Sequence, residues 1–426
     1  MTKTLDRATD FREHLAKLRL SDSPERTAAM ERFEAIGVPS LKHEEWKYTN
    51  LKEIAETVFA PRRDASVAPG EIAAIRLVPS GGIELVFVNG RYSPGLSSIE
   101  DLPRGLRVAS LADVIPAELG TSADTDATPF RSLNEALWED GAYVHVSKGV
   151  EVAEPIHLLF IASGGAEPQA IHPRVLIVAE RGSRARVVES YAGSGRYLTN
   201  ALSEVFVRED AALEHTKVEE EAETAYHLAA IHVEQQARST YESNNVAFGG
   251  KLARTDLNVA IAGEHCETWL NGAYAAFGEQ LIDNHTRIDH AVPNCHSFEV
   301  YKGILGDKGV GVFNGKIYVH PDAQKTDAKQ TNKALLLSRT ATMNTKPQLE
   351  IYADDVKCTH GATVGQLDED QLFYLRSRGL SLVEARTLLT YAFVSEVLEK
   401  VSVQPLRERL EERLMDRVRG AGQAEA

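Results

Sequence analysis

The sequence predicts a mainly β core flanked by helical regions. From about residue 128 to residue 355, short runs alternate apolar and polar side chains, as at Leu257, Val259 and Ile261. This alternation is typical of half-buried strands. Turn residues separate the runs at intervals of roughly 10–12 residues; they are Gly249-Gly250, Asn271-Gly272, Pro293-Asn294, Asn314-Gly315 and Pro321-Asp322. The chain on either side follows helical spacing instead.

The N-terminal region, residues 1–125, is predicted to be helical with a small strand segment. A first helix is indicated by apolar residues near helical spacing at Leu5, Phe11, Leu15 and Leu18. A second helix is predicted from about Pro24 to Ile36, where Gly37 ends it. The strand segment includes residues 83–92, in which Asn89-Gly90 is a hairpin turn signal.

The middle region, residues 126–360, carries the predicted strands. A sandwich, a barrel and a β-solenoid would all produce this rhythm of short strands and turns. No strict repeat is visible in the sequence, so periodicity alone does not choose among these three architectures.

The C-terminal region, residues 361–426, is predicted to be helical. Asp368 opens one helix and Gly379 closes it, and Ser381 with Glu384 forms a capping box for the next. The apolar stripe predicted for that second helix consists of Ala385, Leu388, Leu389, Ala392, Phe393 and Val397. A final helix carries Leu406, Leu410 and Leu414. These helices either pack on the β core or form a partner-docking surface.

The composition excludes several classes of protein. The 426 residues include 62 acidic and 47 basic side chains, for a net charge of −15. We therefore expect that the protein binds neither nucleic acid nor an acidic membrane surface, since binding to either requires a basic face on the protein. The N-terminus is charged and contains Asp6 and Asp10, whereas targeting peptides are poor in acidic residues, so we expect no targeting peptide. We expect a soluble, cytoplasmic protein.

Each of the three cysteines has a histidine within two positions. The chain reads His265-Cys266, Cys295-His296 and Cys358-Thr359-His360, and thiolate with imidazole suits iron, zinc or iron–sulfur species. Residues two apart in a strand share a face, whereas adjacent residues face opposite ways. Cys358 and His360 are therefore the stronger candidate, and the two adjacent pairs are weaker metal candidates. The alternative is that all are packed strand residues.

The motifs of several enzyme classes are missing. The sequence contains no GxxxxGK[ST] phosphate loop, GxSxG elbow, HExxH helix or CxxC pair. We therefore expect a protein that is not an enzyme. A polysaccharide-active enzyme using acidic residues of the β region, such as Asp283 and Asp289, is the alternative left open.

Several long segments resemble the SufB/SufD family of iron–sulfur cluster assembly proteins. They are GVPSLKHEEWKYTNL (37–51), FRSLNEALWEDGAYVHVSKGVEVAEPIHLLFIA (130–162), DNHTRIDHAVPNCHSFEVYKGIL (283–305), VFNGKIYVHPDAQKTDAKQTNKALLLS (312–338) and PQLEIYADDVKCTHGATVGQLDEDQLFYLRSRGL (347–380). The run from Cys358 to Gly365, CTHGATVG, resembles the SufD branch. SufB-type chains tend to read HEATTS there, and a SufB-type scaffold is the second reading.

The resemblance implies an architecture and a set of partners. It implies a right-handed parallel β-helix (a β-solenoid) between N-terminal and C-terminal helical regions. It further implies that the end of the β-helix pairs with SufB, and that the C-terminal helices, including Leu389 and Phe393, contact the ABC-type ATPase SufC. A homodimer is also left open.

The resemblance also implies a role for the Cys358 motif. In the family, the histidine at this position lies at the SufB-facing edge and is tied to cluster formation, which by motif alignment is His360. Two ligands are too few to hold a cluster, so we expect no stably bound cofactor and only transient iron or an iron–sulfur cluster at the SufB interface. The function implied is a non-catalytic scaffold. A metal-storing protein is the remaining alternative.

Overall fold

The structure is a computed structural model that describes residues 23–61, 67–78, 82–122, 128–164 and 167–424. The helix predicted around Leu5–Leu18 lies outside these residues. The described helices are α1 Pro24–Ile36, α2 Lys52–Glu56, α3 Pro69–Ile75, α4 Pro129–Leu137, α5 Glu369–Ser377, α6 Leu382–Leu398 and α7 Gln404–Ala424, with short 3-10 helices at Glu44–Trp46 and Pro94–Leu96.

Strands dominate the described chain. They are β1 Ala60–Pro61, β2 Ile83–Val88, β3 Arg91–Tyr92, β4 Leu106–Ser110, β5 Gly141–Val146, β6 Ile156–Ser163, β7 Gln169–Ile171, β8 Arg174–Ala179, β9 Arg184–Ser194, β10 Tyr197–Val207, β11 Ala212–Glu220, β12 Tyr226–Gln235, β13 Thr240–Ala247, β14 Leu252–Ile261, β15 Glu267–Ala276, β16 Leu281–His290, β17 His296–Leu305, β18 Val310–Val319, β19 Asp327–Leu336, β20 Thr342–Ile351 and β21 Lys357–Gly365.

From β5 onward, apart from the short strand β7, successive strands alternate between two sheets, and this produces a β-solenoid of about 8 turns. One sheet has the order β20-β18-β16-β14-β12-β10-β8-β5-β4, and the other runs β21-β19-β17-β15-β13-β11-β9-β6-β2-β3. Strands of consecutive coils pair in parallel, for example Leu252 with Leu281 and Glu267 with His296. The predicted mainly β fold, with a parallel solenoid between helical regions, is confirmed.

The side chains that point into the solenoid make a continuous core. Ile177, Val205, Ile231 and Leu257 belong to one buried cluster that spans successive coils. The alternation seen in the sequence arises because every second residue of a strand faces this lumen. The coil length is irregular, from 26 residues between Tyr226 and Leu252 to 33 between Gly141 and Arg174.

The N-terminal region confirms two predictions. Helix α1 spans Pro24–Ile36, and the side chain of Ser23 caps it by accepting the Arg26 N–H. Strands β2 and β3 form the predicted hairpin. Its turn residues Asn89 and Gly90 have φ values of 48° and 77°, the left-handed conformation that a tight hairpin requires.

One helix lies where the sequence predicted strands. Helix α4 begins at residue 129, inside the region predicted as strand-like from 128, so that prediction was wrong there. Phe130, Leu133 and Leu137 are buried with residues of α1 and of β10 and β12. Their spacing of three and four residues is helical, but the apolar run is short and adjoins the strands that follow, so the sequence alone groups it with them.

The C-terminal helices begin after β21, which ends at Gly365, five residues beyond the predicted boundary at 360. Asp368 caps α5, and Ser381 with Glu384 forms the capping box of α6. Leu406, Leu410 and Leu414 of α7 are buried with outward-facing residues of the odd-numbered strands. Helices α6 and α7 therefore cover one outer face of the solenoid. Within the described ranges, no helix combines the length and apolar character needed to cross a membrane.

An ion-paired cluster fastens the 44–49 segment to the outer face of β14 and β16. Arg254 donates to Asp283 Oδ2 at 3.0 Å and to the Glu45 carbonyl at 2.7 Å. Its guanidinium lies 3.6 Å from the centroid of the Trp46 ring. His285 bridges Asp283, at 3.0 Å, and the Glu45 carboxylate, at 3.5 Å. The cluster explains why the GVPSLKHEEWKYTNL segment is rich in charged and aromatic residues.

Acid should release this N-terminal segment. Burial alone would raise the pKa of Asp283, but His285 and Arg254 outweigh it and lower the pKa to about 2. A hydrogen bond from His285 lowers the pKa of Glu45 to about 2. A carboxylate with a depressed folded-state pKa stabilises the fold above its unfolded value and loses that contribution as pH falls. We expect amide-exchange protection of residues 44–49 to fall between about pH 4.5 and pH 2.

The matched variant is Asp283→Asn, which should already show weak protection at pH 5. It should also lower the free energy of unfolding by about 1–3 kcal/mol, because buried Arg254 loses one of its carboxylate acceptors. Protection that is equal in both proteins across the pH range would contradict this role for the cluster.

Candidate functional site

The last coil of the solenoid leaves one end open. Strands β20 and β21 are the terminal strands of their sheets, and no described strand pairs with their outer edges. Most residues of β21 are exposed, and β20 is half-buried. Apolar side chains at this end, Ile351, Tyr352 and Val364, are 38%, 56% and 44% exposed. Exposed sheet edges of this kind readily pair with another chain.

Cys358 and His360 lie together at this open end. Cys358 is in register with Ala328 and His360 with Gln330, and both partners belong to the lumen-facing set of β19. The two side chains therefore lie on the lumen face of the final strand, which has no coil above it. Cys358 is half-buried against the apolar cluster around Ala328, whereas His360 is exposed. Burial raises the pKa of the Cys358 thiol.

Two polar residues form a column beneath His360. Glu299, Gln330 and His360 are in register on consecutive coils. Gln330 Nε2 donates to Glu299 Oε2 at 2.7 Å. Both residues are buried, and burial raises the pKa of Glu299 to about 7. Neither Glu299 nor Gln330 was predicted from the sequence as a site residue. Gln330 lies one coil before His360 and Glu299 lies two coils before it, so a known coil length would have identified both.

Of the weaker metal-ligand candidates, the two cysteines lie inside the solenoid and the two histidines lie on its surface. Cys266 and Cys295 are in adjacent coils and fully buried, and their sulfur atoms lie 3.0 and 3.3 Å from the carbonyl oxygen of Gly263. A hydrogen bond from Cys295 lowers the pKa of Cys266, and the same contact raises that of Cys295. His265 and His296 are exposed. Neither adjacent pair brings its thiol and imidazole together, although the two thiols, unexpectedly, meet.

The resemblance of the motifs implies iron–sulfur cluster assembly, and replacing either buried thiol should leave that activity intact. We expect Cys266→Ala and Cys295→Ala to lower the free energy of unfolding by about 0.5–3 kcal/mol, since both side chains are packed. The cluster yield per folded molecule should stay within about twofold of the wild-type yield, because these thiols lie away from the open end. A yield reduced as far as that of a His360 variant would assign them a direct role.

The described residues hold no group of three or more histidine, cysteine, aspartate or glutamate side chains placed to bind one metal ion. The open end therefore offers two such ligands, Cys358 and His360. The carboxylates considered for a polysaccharide-active enzyme are engaged elsewhere, since Asp283 pairs with Arg254 and Asp289 with Arg287.

Comparison with known proteins identifies the family. Residues 160–393 match the family model described as "SUF system FeS cluster assembly, SufBD core domain", and residues 12–158 match the "SufBD protein N-terminal region". The chain belongs to the SufBD family of iron–sulfur cluster assembly proteins. This confirms the resemblance noted from its motifs.

Relatives in the SufBD family match nearly the whole chain. The chain is 33% identical to the iron–sulfur cluster assembly protein SufD of Escherichia coli, over 93% of each chain. It is 32% identical to an iron–sulfur cluster assembly SufBD family protein of Synechocystis, over 90% of this chain and 88% of the relative. A chloroplastic protein of Arabidopsis thaliana, ABCI7, is 32% identical over 87% and 81%.

The C-terminal helices of this SufBD protein expose apolar side chains that differ from those predicted for docking. Leu389 and Phe393 are half-buried, and Phe393 packs on the solenoid, where Lys302 Nζ donates to its carbonyl at 2.7 Å. The buried face of α6 instead includes Thr387, Thr390 and Val394. The exposed side chains are Phe373, Tyr374, Leu382 and Leu388. These four residues are called the α5–α6 patch below.

Proposed function

We propose that this chain is the SufD-type subunit of a SufB–SufC–SufD complex, in which it acts as a non-catalytic scaffold for iron–sulfur cluster assembly. The observation that carries the proposal is the open solenoid end, where two unpaired strand edges lie beside Cys358 and His360. Membership of the SufBD family supports a role in iron–sulfur cluster assembly, and the unpaired strand edges at the open end could bind a second chain.

A SufB-type chain is the partner that suits this end. The free edges of β20 and β21 offer unpaired backbone donors and acceptors, which the strands of another solenoid would satisfy. Ile351, Tyr352 and Val364 add apolar area beside those edges. A second copy of this chain could use the same edges, so a homodimer competes for the same surface.

The ligand count favours a shared and transient site. A cluster needs about four thiolate or imidazole ligands, and the open end offers one thiol and one imidazole. The raised pKa of Cys358 keeps its thiol protonated until a metal ion displaces the proton. Iron or an incomplete cluster would therefore be held only when the partner adds its own ligands, with no cofactor bound stably to this chain alone.

The α5–α6 patch is the surface proposed for the ATPase SufC. Phe373 is 75% exposed and Tyr374 is 55% exposed, and aromatic side chains are enriched at protein–protein interfaces. Leu389 and Phe393 would then support the patch from below. The sequence lacks a phosphate loop, which agrees with ATP being hydrolysed by the partner. We propose that the complex works in the cytoplasm.

Co-expression tests the proposal. The chain, produced with a SufB-type and a SufC-type protein, should purify as one complex in size-exclusion chromatography. A variant carrying Ile351→Asp and Val364→Asp should lose the SufB-type subunit while keeping the SufC-type subunit. Recovery of the chain only as a free monomer or homodimer would contradict the proposal.

A further inference from the structure

Two buried thiols meet at one corner of the solenoid, where they belong to consecutive coils. Cys266 is the residue before β15 and Cys295 is the residue before β17, and both are fully buried. The Cys295 thiol hydrogen-bonds to the Cys266 sulfur, and both sulfur atoms lie against the Gly263 carbonyl. The candidate site at the open end uses neither thiol, so the pair is free for a separate role.

The backbone holds these two cysteines at a separation that suits a disulfide. They precede Glu267 and His296, which are paired in register, and the His296 N–H donates to the Cys266 carbonyl at 2.9 Å. The parallel ladder therefore extends to the cysteines, and residues paired in this way lie about 4.8 Å apart. Disulfides form between Cα atoms roughly 4.4–6.8 Å apart. The two sulfur atoms can therefore bond with little movement of the backbone.

The third cysteine is too far away to take part. Cys358 is in register with Ala328, which is in register with Ser297. Cys358 therefore lies two coils above Cys295 and two residues further along the strand direction. This separation is about 10 Å or more, which exceeds the range of a disulfide. Cys266 and Cys295 are thus the one pair among the three cysteines that can bridge within the folded chain.

The surroundings make Cys266 the more reactive thiol of the pair. The hydrogen bond from Cys295 lowers the pKa of the Cys266 thiol, and the same contact raises the pKa of Cys295. The thiolate is the form that reacts with oxidants. Glu264 and His265, in the turn that covers the pair, are exposed. Exposed turns open locally at a lower cost than core strands, which gives a small oxidant access to the sulfur atoms.

We propose that Cys266 and Cys295 are a redox-modification site, at which hydrogen peroxide produces a reversible disulfide. The Cys266 thiolate attacks one peroxide oxygen, the O–O bond breaks, and the hydroxide that leaves takes up the proton released by Cys266 to form water. The sulfur is left as a sulfenic acid. The Cys295 sulfur then attacks this sulfur, and its thiol proton joins the leaving hydroxide as a second water. Two thiols thus lose two electrons, which reduce one peroxide.

The bridge would join two consecutive coils and protect both thiols. A sulfenic acid that condenses with a neighbouring thiol escapes further oxidation to the irreversible sulfinic and sulfonic acids. A dithiol reductant reopens the bridge by thiol–disulfide exchange. The disulfide is a property of the isolated chain, so it goes beyond the proposed function and does not rest on it.

Treatment of the folded, full-length chain with a small molar excess of hydrogen peroxide tests the proposal. The peroxide is then removed, and the chain is denatured in the presence of iodoacetamide for mass spectrometry. We expect a chain that has lost two hydrogen atoms, in which Cys358 is the alkylated residue among the three cysteines. Peptide mapping should show Cys266 linked to Cys295. Reduction with dithiothreitol before alkylation should make all three cysteines alkylatable again.

Serine variants are the matched controls. Ser239 occupies the equivalent buried position one coil before Cys266, so serine fits this corner and the variants should fold. Cys295→Ser should stop at the sulfenic acid of Cys266, which dimedone labels. Cys358→Ser should form the same bridge as the wild-type chain.

Several outcomes would overturn the inference. Three alkylated cysteines after peroxide treatment of the folded chain would show that no bridge forms. A disulfide that includes Cys358, or sulfinic acid at Cys266 beside a free Cys295 thiol, would also contradict it. A chain oxidised in urea should give a mixture of pairings. The same mixture from the folded chain would show that the fold does not direct the bridge.

Discussion

Replacing His360 with alanine is expected to lower the cluster yield of the assembled complex by about tenfold or more. His360 is exposed at the open end and has only Cys358 beside it as a second ligand. Removing one of two ligands leaves this chain with a single donor, and losses of this order follow the removal of less direct metal contacts. Iron and acid-labile sulfide, measured per complex after anaerobic reconstitution, report the effect.

The His360→Ala chain should fold normally and still enter the complex. Its side chain makes no hydrogen bond within the described residues, and exposed substitutions rarely change stability by more than about 0.5 kcal/mol. His296→Ala is the matched control, since His296 is also exposed at the edge of a strand but lies two coils away. Wild-type cluster yield in His360→Ala, or an equal loss in His296→Ala, would contradict the assignment.

The second large effect is expected at the α5–α6 patch. The double substitution Phe373→Glu and Leu388→Glu should weaken binding of the SufC-type ATPase by about 2 kcal/mol or more, which is roughly thirtyfold. Both side chains are exposed, so charges there disturb a partner and not the chain's own core. Affinity measured by calorimetry with the purified ATPase gives the number.

A control with an equally exposed apolar residue separates docking from general surface effects. Ile115 is 73% exposed and lies in the N-terminal region, so Ile115→Glu should leave the ATPase affinity unchanged. Binding at wild-type strength by the double variant would remove the patch from the proposed interface. In that case, Leu389 and Phe393 would need testing by themselves.

The local features of the fold could be predicted from the sequence because they depend on neighbouring residues. Alternation at Leu257, Val259 and Ile261 predicted strands, and Ser381 with Glu384 predicted a helix start. The solenoid itself depended on the family resemblance. Its coils vary from 26 to 33 residues, so the repeat that defines the architecture is not periodic in the chain.

The candidate site could be predicted only where its members are close in sequence. Cys358 and His360 are two residues apart, so strand geometry alone places them on one face. Glu299 and Gln330 reach the same site through the stacking of coils. The meeting of Cys266 with Cys295 has the same origin. Such contacts depend on the register between distant strands, which one sequence does not display.

The exposed face of α6 was predicted less well than its start. Leu388 was assigned to the apolar stripe but is exposed, while Thr387 and Thr390 are buried. The helix is apolar around much of its surface, with Leu389, Phe393 and Val394 on neighbouring positions. Periodicity then gives no unique inner face, and packing on the solenoid decides which side chains are covered.

We propose that the open end of this chain becomes an assembly site only when a SufB-type chain completes it. The absorption spectrum after anaerobic reconstitution with iron and sulfide tests this most directly, on the isolated chain and on the complex at equal concentration. We expect visible bands of an iron–sulfur cluster from the complex and a colourless isolated chain. Cluster bands of equal intensity from the isolated chain would contradict the claim.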